Sequence, residues 1–94
     1  MQPYIYKLRN KLTGQYYIGV QYGKKSNPSN LWKTYFSSSK YVLENKENFE
    51  VVYTKPREDA REYESKLLNR IFRIFGKEKF LQIMFNRNPR NITR

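Results

Sequence analysis

Between Pro56 and Phe75, the apolar side chains Ala60, Tyr63, Leu67, Leu68, Ile71, Ile74 and Phe75 return every three or four positions. That spacing gathers them on one face of an α-helix. Pro56 suits a first helical turn, Glu58 and Asp59 follow where the helix dipole favours acids, and Gly76 predicts the stop. Glu64 falls near the middle of the apolar face, whereas Arg57, Glu58, Asp59, Arg61, Glu62, Lys66, Arg70 and Arg73 fall outside it. A carboxylate on a core-facing stripe costs stability unless it is paired, protonated or bound to a cation. Either the fold tolerates Glu64 at a stripe edge, or the acid is there for chemistry.

Near the N-terminus the period changes to two. Tyr4-Ile5-Tyr6-Lys7-Leu8 and Tyr16-Tyr17-Ile18-Gly19-Val20 alternate and are rich in strand formers, and Asn10-Lys11-Leu12-Thr13-Gly14 between them supplies turn residues. The pattern predicts a β-hairpin. With the turn centred near Leu12, Tyr6 and Tyr17 come roughly opposite each other and their hydroxyls converge. Residues 21–30 read as a basic loop carrying Lys24 and Lys25, and Leu31 to Phe36 as a short helical turn. Ser37-Ser38-Ser39 reads as a cap for a short helix from about Lys40 to Glu47, or as loop. Asn48 to Tyr53 reads as a third strand, Lys77 to Leu81 as one more helical turn, and Asn86 to Asn91 as an irregular basic tail. The expected fold class is α/β in the broad sense (α+β). It is a single domain over residues 1–94, a small three-stranded antiparallel or mixed sheet flanked by helices.

Charge narrows the partner. Nineteen Lys and Arg against eight Asp and Glu give a net charge of +11 on 94 residues, an excess that points to a polyanion, most often nucleic acid. No apolar run approaches the roughly 18 residues of a membrane span, and no segment pairs a strongly basic face with an apolar one, so no membrane partner is expected. The chain contains no cysteine and no histidine. The first absence removes disulfides and thiolate metal sites and permits an intracellular location. The second removes the commonest general base and zinc ligand. Catalysis would therefore rest on Tyr, Lys, Arg, Asp or Glu, or on a metal held by oxygen. Nine tyrosines serve stacking, packing and phenol chemistry equally well, so their number alone selects none of these.

Four marks occur in order. Tyr4-Ile5-Tyr6 is followed after ten residues by Tyr17-Ile18-Gly19; then come Tyr35-Phe36 with Ser37-Ser38-Ser39-Lys40, Ala60-x-x-x-Glu64-x-x-Leu67, and Phe85-Asn86. Together they resemble the GIY-YIG endonucleases, in particular a phage and homing-endonuclease branch with a Tyr-x-Gly-Ser-x-Lys segment. The resemblance implies a compact nuclease domain that uses one divalent metal, Mg²⁺ or Mn²⁺, to hydrolyse a DNA phosphodiester. It implies Glu64 as metal ligand, Tyr6 as general base or activator of the nucleophile, Tyr17 as partner of the scissile phosphate or attacking water, and Asn86 as support from the tail. Lys40 joins this catalytic set. Members of the branch often append a DNA-binding segment, so the chain is also compatible with the catalytic part of a longer protein. Two departures stand out: Tyr4 replaces the first glycine of the signature, and no Arg lies between Arg9 and Arg57 where many members carry one. Lys24, Lys25, Lys33 or Lys40 would supply the phosphate-binding cation instead, as point charges without Arg's bidentate fork. The expected nucleic-acid contacts are Lys7, Lys24, Lys25, Lys33, Arg57 and Arg61. Two other readings stay open: a binding module of the same fold without catalysis, and a basic component of a larger assembly.

Overall fold

The computed structural model describes residues 2–37 and 39–83. Strand β1 (Tyr4–Asn10) is the centre of a three-stranded sheet in the order β2-β1-β3, and both neighbours run antiparallel to it. Its central place explains why its residues are buried almost without interruption. Asn10 turns the chain: its side-chain oxygen accepts from the backbone N–H groups of Leu12 (2.8 Å) and Thr13 (3.2 Å), and its carbonyl accepts from Gly14 N–H (2.8 Å). Gly14 has φ 77°, which its missing Cβ allows without strain. Strand β2 (Tyr16–Gln21) then returns along β1. The register differs from the expected one by two residues. Tyr6 pairs with Gly19, and Tyr17 with Leu8. A shift of two preserves the face each side chain points to, so both phenols still lie on one side of the sheet.

Strand β3 (Phe49–Pro56) pairs with the other edge of β1, from Asn10↔Phe49 to Tyr4↔Pro56. The register slips between Lys7 and Leu8: Lys7 meets Tyr53 and Leu8 meets Val51, leaving Val52 as the extra residue of a bulge. Pro56 therefore closes an edge strand and does not open the helix, a position where its missing N–H is tolerated. Between β2 and β3 the predicted helical turn at Leu31 to Phe36 is a tight bend. Leu31 and Tyr35 bridge across it, and Asn30 carbonyl collects the N–H groups of Lys33, Thr34 and Tyr35 at 3.0 Å each. Helix α1 (Lys40–Glu44) follows, capped by Ser39, whose hydroxyl accepts from Val42 N–H. A single 3₁₀ turn (Lys46–Asn48) leads into β3.

Helix α2 (Ala60–Ile83) is bent at Gly76, which takes φ 80° and ψ 170°. The pleat of β1 divides the interior into two layers. Tyr4, Tyr6 and Leu8 pack with Leu31, Val42 and Phe49 on one side. Ile5 and Ile18 pack on the other with Leu68 and Phe80, supported by Tyr63, Leu67, Ile71 and Phe72. The predicted stripe of α2 is correct as far as Ile71. Beyond it, Ile74 is 67% exposed and Phe75 48% exposed. Past the bend, Phe80 completes the layer, its ring 5.5 Å from that of Phe72.

Candidate functional site

Tyr6 is the focus of the first layer. Strand alternation aims it at the side away from α2, directly across from Gly19. Its ring lies over that glycine: a Cβ built on Gly19 would meet Tyr6 Oη at 2.4 Å and Tyr6 Cζ at 2.5 Å. No other residue type leaves room for the ring there. Around it stand Tyr4, Tyr17 and Tyr35, with ring centroids 6.1, 6.3 and 6.0 Å away. The Tyr6 hydroxyl donates to Ser37 Oγ at 3.1 Å, which also accepts from Ser39 N–H at 3.0 Å. Tyr35 donates to Val20 carbonyl at 3.3 Å. With both phenol protons so committed, the 3.5 Å approach of Tyr6 and Tyr35 oxygens is a contact without a shared hydrogen. On the same face, Tyr4 donates to Gln21 Oε1 at 2.6 Å.

These surroundings fix the protonation of the phenols. Tyr6 has no exposed surface. Burial, and next the neighbouring Tyr35, push its pKa well above the ordinary phenol range. Burial and Tyr35 likewise push Tyr4 up to about 12. At neutral pH Tyr6 keeps its proton and acts as a hydrogen-bond donor. The general-base role implied by the resemblance needs the opposite shift, of the kind that a cation close to the phenol produces. Lys7 points to the other face of β1, with Nζ 4.2 Å above the Tyr16 ring. Lys24, Lys25 and Lys40 are exposed, the last as the first residue of α1.

Ser37 carries backbone strain. It takes φ 123°, a left-handed value that non-glycine residues rarely adopt, while being buried. Its two hydrogen bonds hold it there. Neither Tyr35 nor Ser37 stands out in the sequence as a partner of Tyr6, because the contact spans some thirty residues; a Tyr-x-Ser-Ser-Ser run is the only signal.

The remaining expected site residues are dispersed. Tyr17 is half-buried on edge strand β2, beside Tyr6. Glu64 is half-buried on α2, the helix that covers the opposite face. Of the eight acidic residues, all of them within the described segments, Glu64 alone is not exposed. Among the described residues no group of three or more His, Cys, Asp or Glu gathers as a metal cage. A hard cation such as Mg²⁺ keeps several waters and needs only one or two carboxylates, a demand that a single glutamate such as Glu64 can meet. Lys33 is exposed in the bend after Leu31. Arg57 is held by Asp59 (Nε–Oδ1 2.7 Å) and lies 3.8 Å above the Tyr63 ring. Arg61 lies 5.1 Å from the Tyr22 ring, just past the end of β2. Asn86 falls outside the described residues.

No described helix is long and apolar enough to cross a membrane. No protein-family model, curated protein or solved structure matches the chain.

Proposed function

We propose that this domain is a metal-dependent DNA endonuclease that hydrolyses phosphodiester bonds. The observation that carries the reading is the interlock of the two strand motifs: Tyr6 wedged over Gly19, with Tyr17 beside it on the neighbouring strand. Each motif residue has a use that depends on the other strand, which chance strand-forming composition does not require. Two further observations support it. Ser37 occupies the glycine position of the Tyr-x-Gly-Ser-x-Lys segment that residues 35–40 resemble, and it adopts a backbone angle suited to glycine. Glu64 is the one withdrawn carboxylate.

In the proposed reaction a water oxygen bonds to phosphorus and gives up a proton to solvent, the bond from phosphorus to the leaving oxygen breaks, and that oxygen takes up a proton. Glu64 would hold Mg²⁺ or Mn²⁺, which supplies charge stabilisation at the phosphate oxygens when bound. Tyr17, half-buried on an edge strand, is the phenol suited to donate to the phosphate. Tyr6 positions the hairpin and keeps its proton. Lys24, Lys25, Lys33 and Lys40 are exposed and available to the backbone of the DNA.

The test is nicking of supercoiled plasmid with Mg²⁺ or Mn²⁺. Wild type should nick. Glu64→Ala should lose about 100-fold or more, the scale of a few kcal/mol of transition-state stabilisation. Tyr17→Phe should lose activity, and Tyr6→Phe should lower stability. No nicking by wild type with either metal, or undiminished nicking by both Glu64→Ala and Tyr17→Phe, removes the reading. A second reading, a nucleic-acid-binding module without catalysis, is favoured by the retained proton on Tyr6. It predicts salt-dependent DNA binding and no cleavage with any metal.

A further inference from the structure

The outer side of α2 carries a feature that the phenol site does not use. Lys66, Asn69, Arg70, Arg73 and Ile74 line an open cleft of about 530 Å³. At about 100° per residue, Lys66, Arg70 and Arg73 fall within an arc of about 60°, pointing away from the Leu67, Leu68 and Ile71 side that packs on the sheet. All three cations are exposed, and neither of the ion pairs Arg9–Glu50 and Arg57–Asp59 engages them. Glu62 begins the same stripe one turn earlier and Asp59 lies just before it, both toward the Lys66 end. Beyond them, Arg70 and Arg73 are like charges three residues apart on a helix, which repel each other and destabilise it slightly. Their arrangement is unfavourable for the isolated domain and favourable once an anion sits among them.

Length agrees with a nucleic-acid backbone. From Lys66 to Arg73 the helix rises about 10.5 Å at 1.5 Å per residue, which spans about three phosphates of one strand at 3.4 Å of axial rise each.

We infer that the Lys66–Arg70–Arg73 cleft is a docking surface for the backbone of duplex DNA, separate from the tyrosine cluster on the other side of the sheet. This rests on the nucleic-acid part of the proposed function and names the surface that would hold the duplex. An anionic membrane is the competing occupant. The single apolar residue of the cleft lining, Ile74, gives lipid little to bury.

The experiment measures binding of the whole chain to a labelled DNA duplex by fluorescence anisotropy, in EDTA, across a salt series. Three proteins are compared: wild type, the triple variant Lys66→Ala/Arg70→Ala/Arg73→Ala, and the charge-preserving triple Lys66→Arg/Arg70→Lys/Arg73→Lys. Removing three phosphate contacts should reduce the slope of log K against log salt by about 2.7. A fourfold rise in salt should then weaken wild type by about 40-fold more than the alanine triple. The charge-preserving triple should keep the wild-type slope. Plasmid nicking is followed on the same samples. Wild-type affinity and slope in the alanine triple overturn the inference, as does tighter binding of wild type to phosphatidylserine vesicles than to DNA, or no DNA binding at all. Stripe-dependent DNA binding with no nicking by wild type supports the cleft and removes the endonuclease reading alone.

Discussion

Gly19→Ala offers the most direct test of the packing on which the tyrosine cluster depends. Two effects oppose each other. Within a strand, alanine is favoured over glycine by roughly 0.5–1 kcal/mol, because glycine loses more backbone freedom on folding. Against this, the new methyl carbon would sit 2.4 Å from Tyr6 Oη, 2.5 Å from Tyr6 Cζ and 3.0 Å from Tyr17 Cε1. Non-bonded carbon contacts settle at about 3.5–4.0 Å, so the end of the Tyr6 ring must retreat by about 1 Å. It has nowhere to go: Tyr6 has no exposed surface, and three other phenol rings stand about it. Overpacking of this kind costs about 1–3 kcal/mol, which exceeds the propensity gain. At about 4–8 °C per kcal/mol for a domain of this size, the midpoint of thermal unfolding should fall by about 5–15 °C. Far-ultraviolet circular dichroism with heat and with urea reads the change.

A second background identifies the cause. Leucine at position 6 ends short of the Cζ and Oη positions, so Gly19→Ala should lose most of its cost in Tyr6→Leu protein. The double-mutant cycle should show a coupling of about 1–2 kcal/mol. If Gly19→Ala melts with wild type, or costs the same in both backgrounds, the ring is not wedged on the strand, and the interlock that supports the proposed function goes with it.

The raised pKa values of Tyr4 (to about 12) and Tyr6 mean that the folded state holds these protons more tightly than the unfolded chain, whose phenols titrate near 10.0. Their contribution is complete below pH 10 and is lost as pH rises through the folded-state values, so urea stability should fall above pH 10; tyrosinate absorbance should show both phenols silent until the fold is lost. Ser37→Ala keeps the φ of 123° and loses the acceptor for Tyr6 and Ser39, whereas Ser37→Gly loses the same bonds but relieves the strain. Glycine should therefore be the milder change by about 1–2 kcal/mol, and equal destabilisation by the two would refute strain at that position. At Gly76 a Cβ meets nothing within 4 Å, so any loss in Gly76→Ala is conformational. With φ 80° and ψ 170° it should cost about 1–3 kcal/mol by urea titration, and an unchanged midpoint would show that the bend relaxes freely.

Period and turn chemistry made much of the fold legible. The alternation in Tyr4 to Leu8 and Tyr16 to Val20, with Asn10 and Gly14 between, specifies the hairpin because each signal acts within a few residues. The Ser39 cap and the stripe from Ala60 to Ile71 are local in the same sense. Failures occur where a distant contact decides. Pairing with β1 extends β3 to Pro56, a residue whose local preference suits a helix start equally well. The stop expected at Gly76 and the further helical turn after it are both present, but Ile74 and Phe75 of the stripe stay exposed while Phe80 joins the core, which the period alone does not anticipate. At the site, sequence reading selects Tyr6 and Tyr17 but misses what Gly19 is for. A register two residues further on makes it the seat of the Tyr6 ring. Ser37 is invisible for a related reason, since its constraint is a backbone angle and a partner far away in the chain.

The pleat also ranks the two phenols. Successive residues of a strand face opposite ways, so the layer that receives Tyr6 cannot be the layer that receives Ile5, and α2 packs with Ile5 and Ile18. A reaction that uses a carboxylate of α2 together with a hairpin phenol must therefore take place at a margin of the sheet and not above either face. Strand β2 forms such a margin. It is an edge strand, α2 lies against it, and Gln15 at its start donates to Leu81 carbonyl while Arg61 reaches Tyr22 just past its end. Tyr17 belongs to that edge and is half-buried, whereas Tyr6 is on the central strand beneath a closed set of rings. Under the proposed function, a phosphodiester approaching from the β2 side would meet Tyr17 before Tyr6. The same placement that denies Tyr6 the deprotonation expected of a base leaves it the task of fixing the strand from which Tyr17 projects.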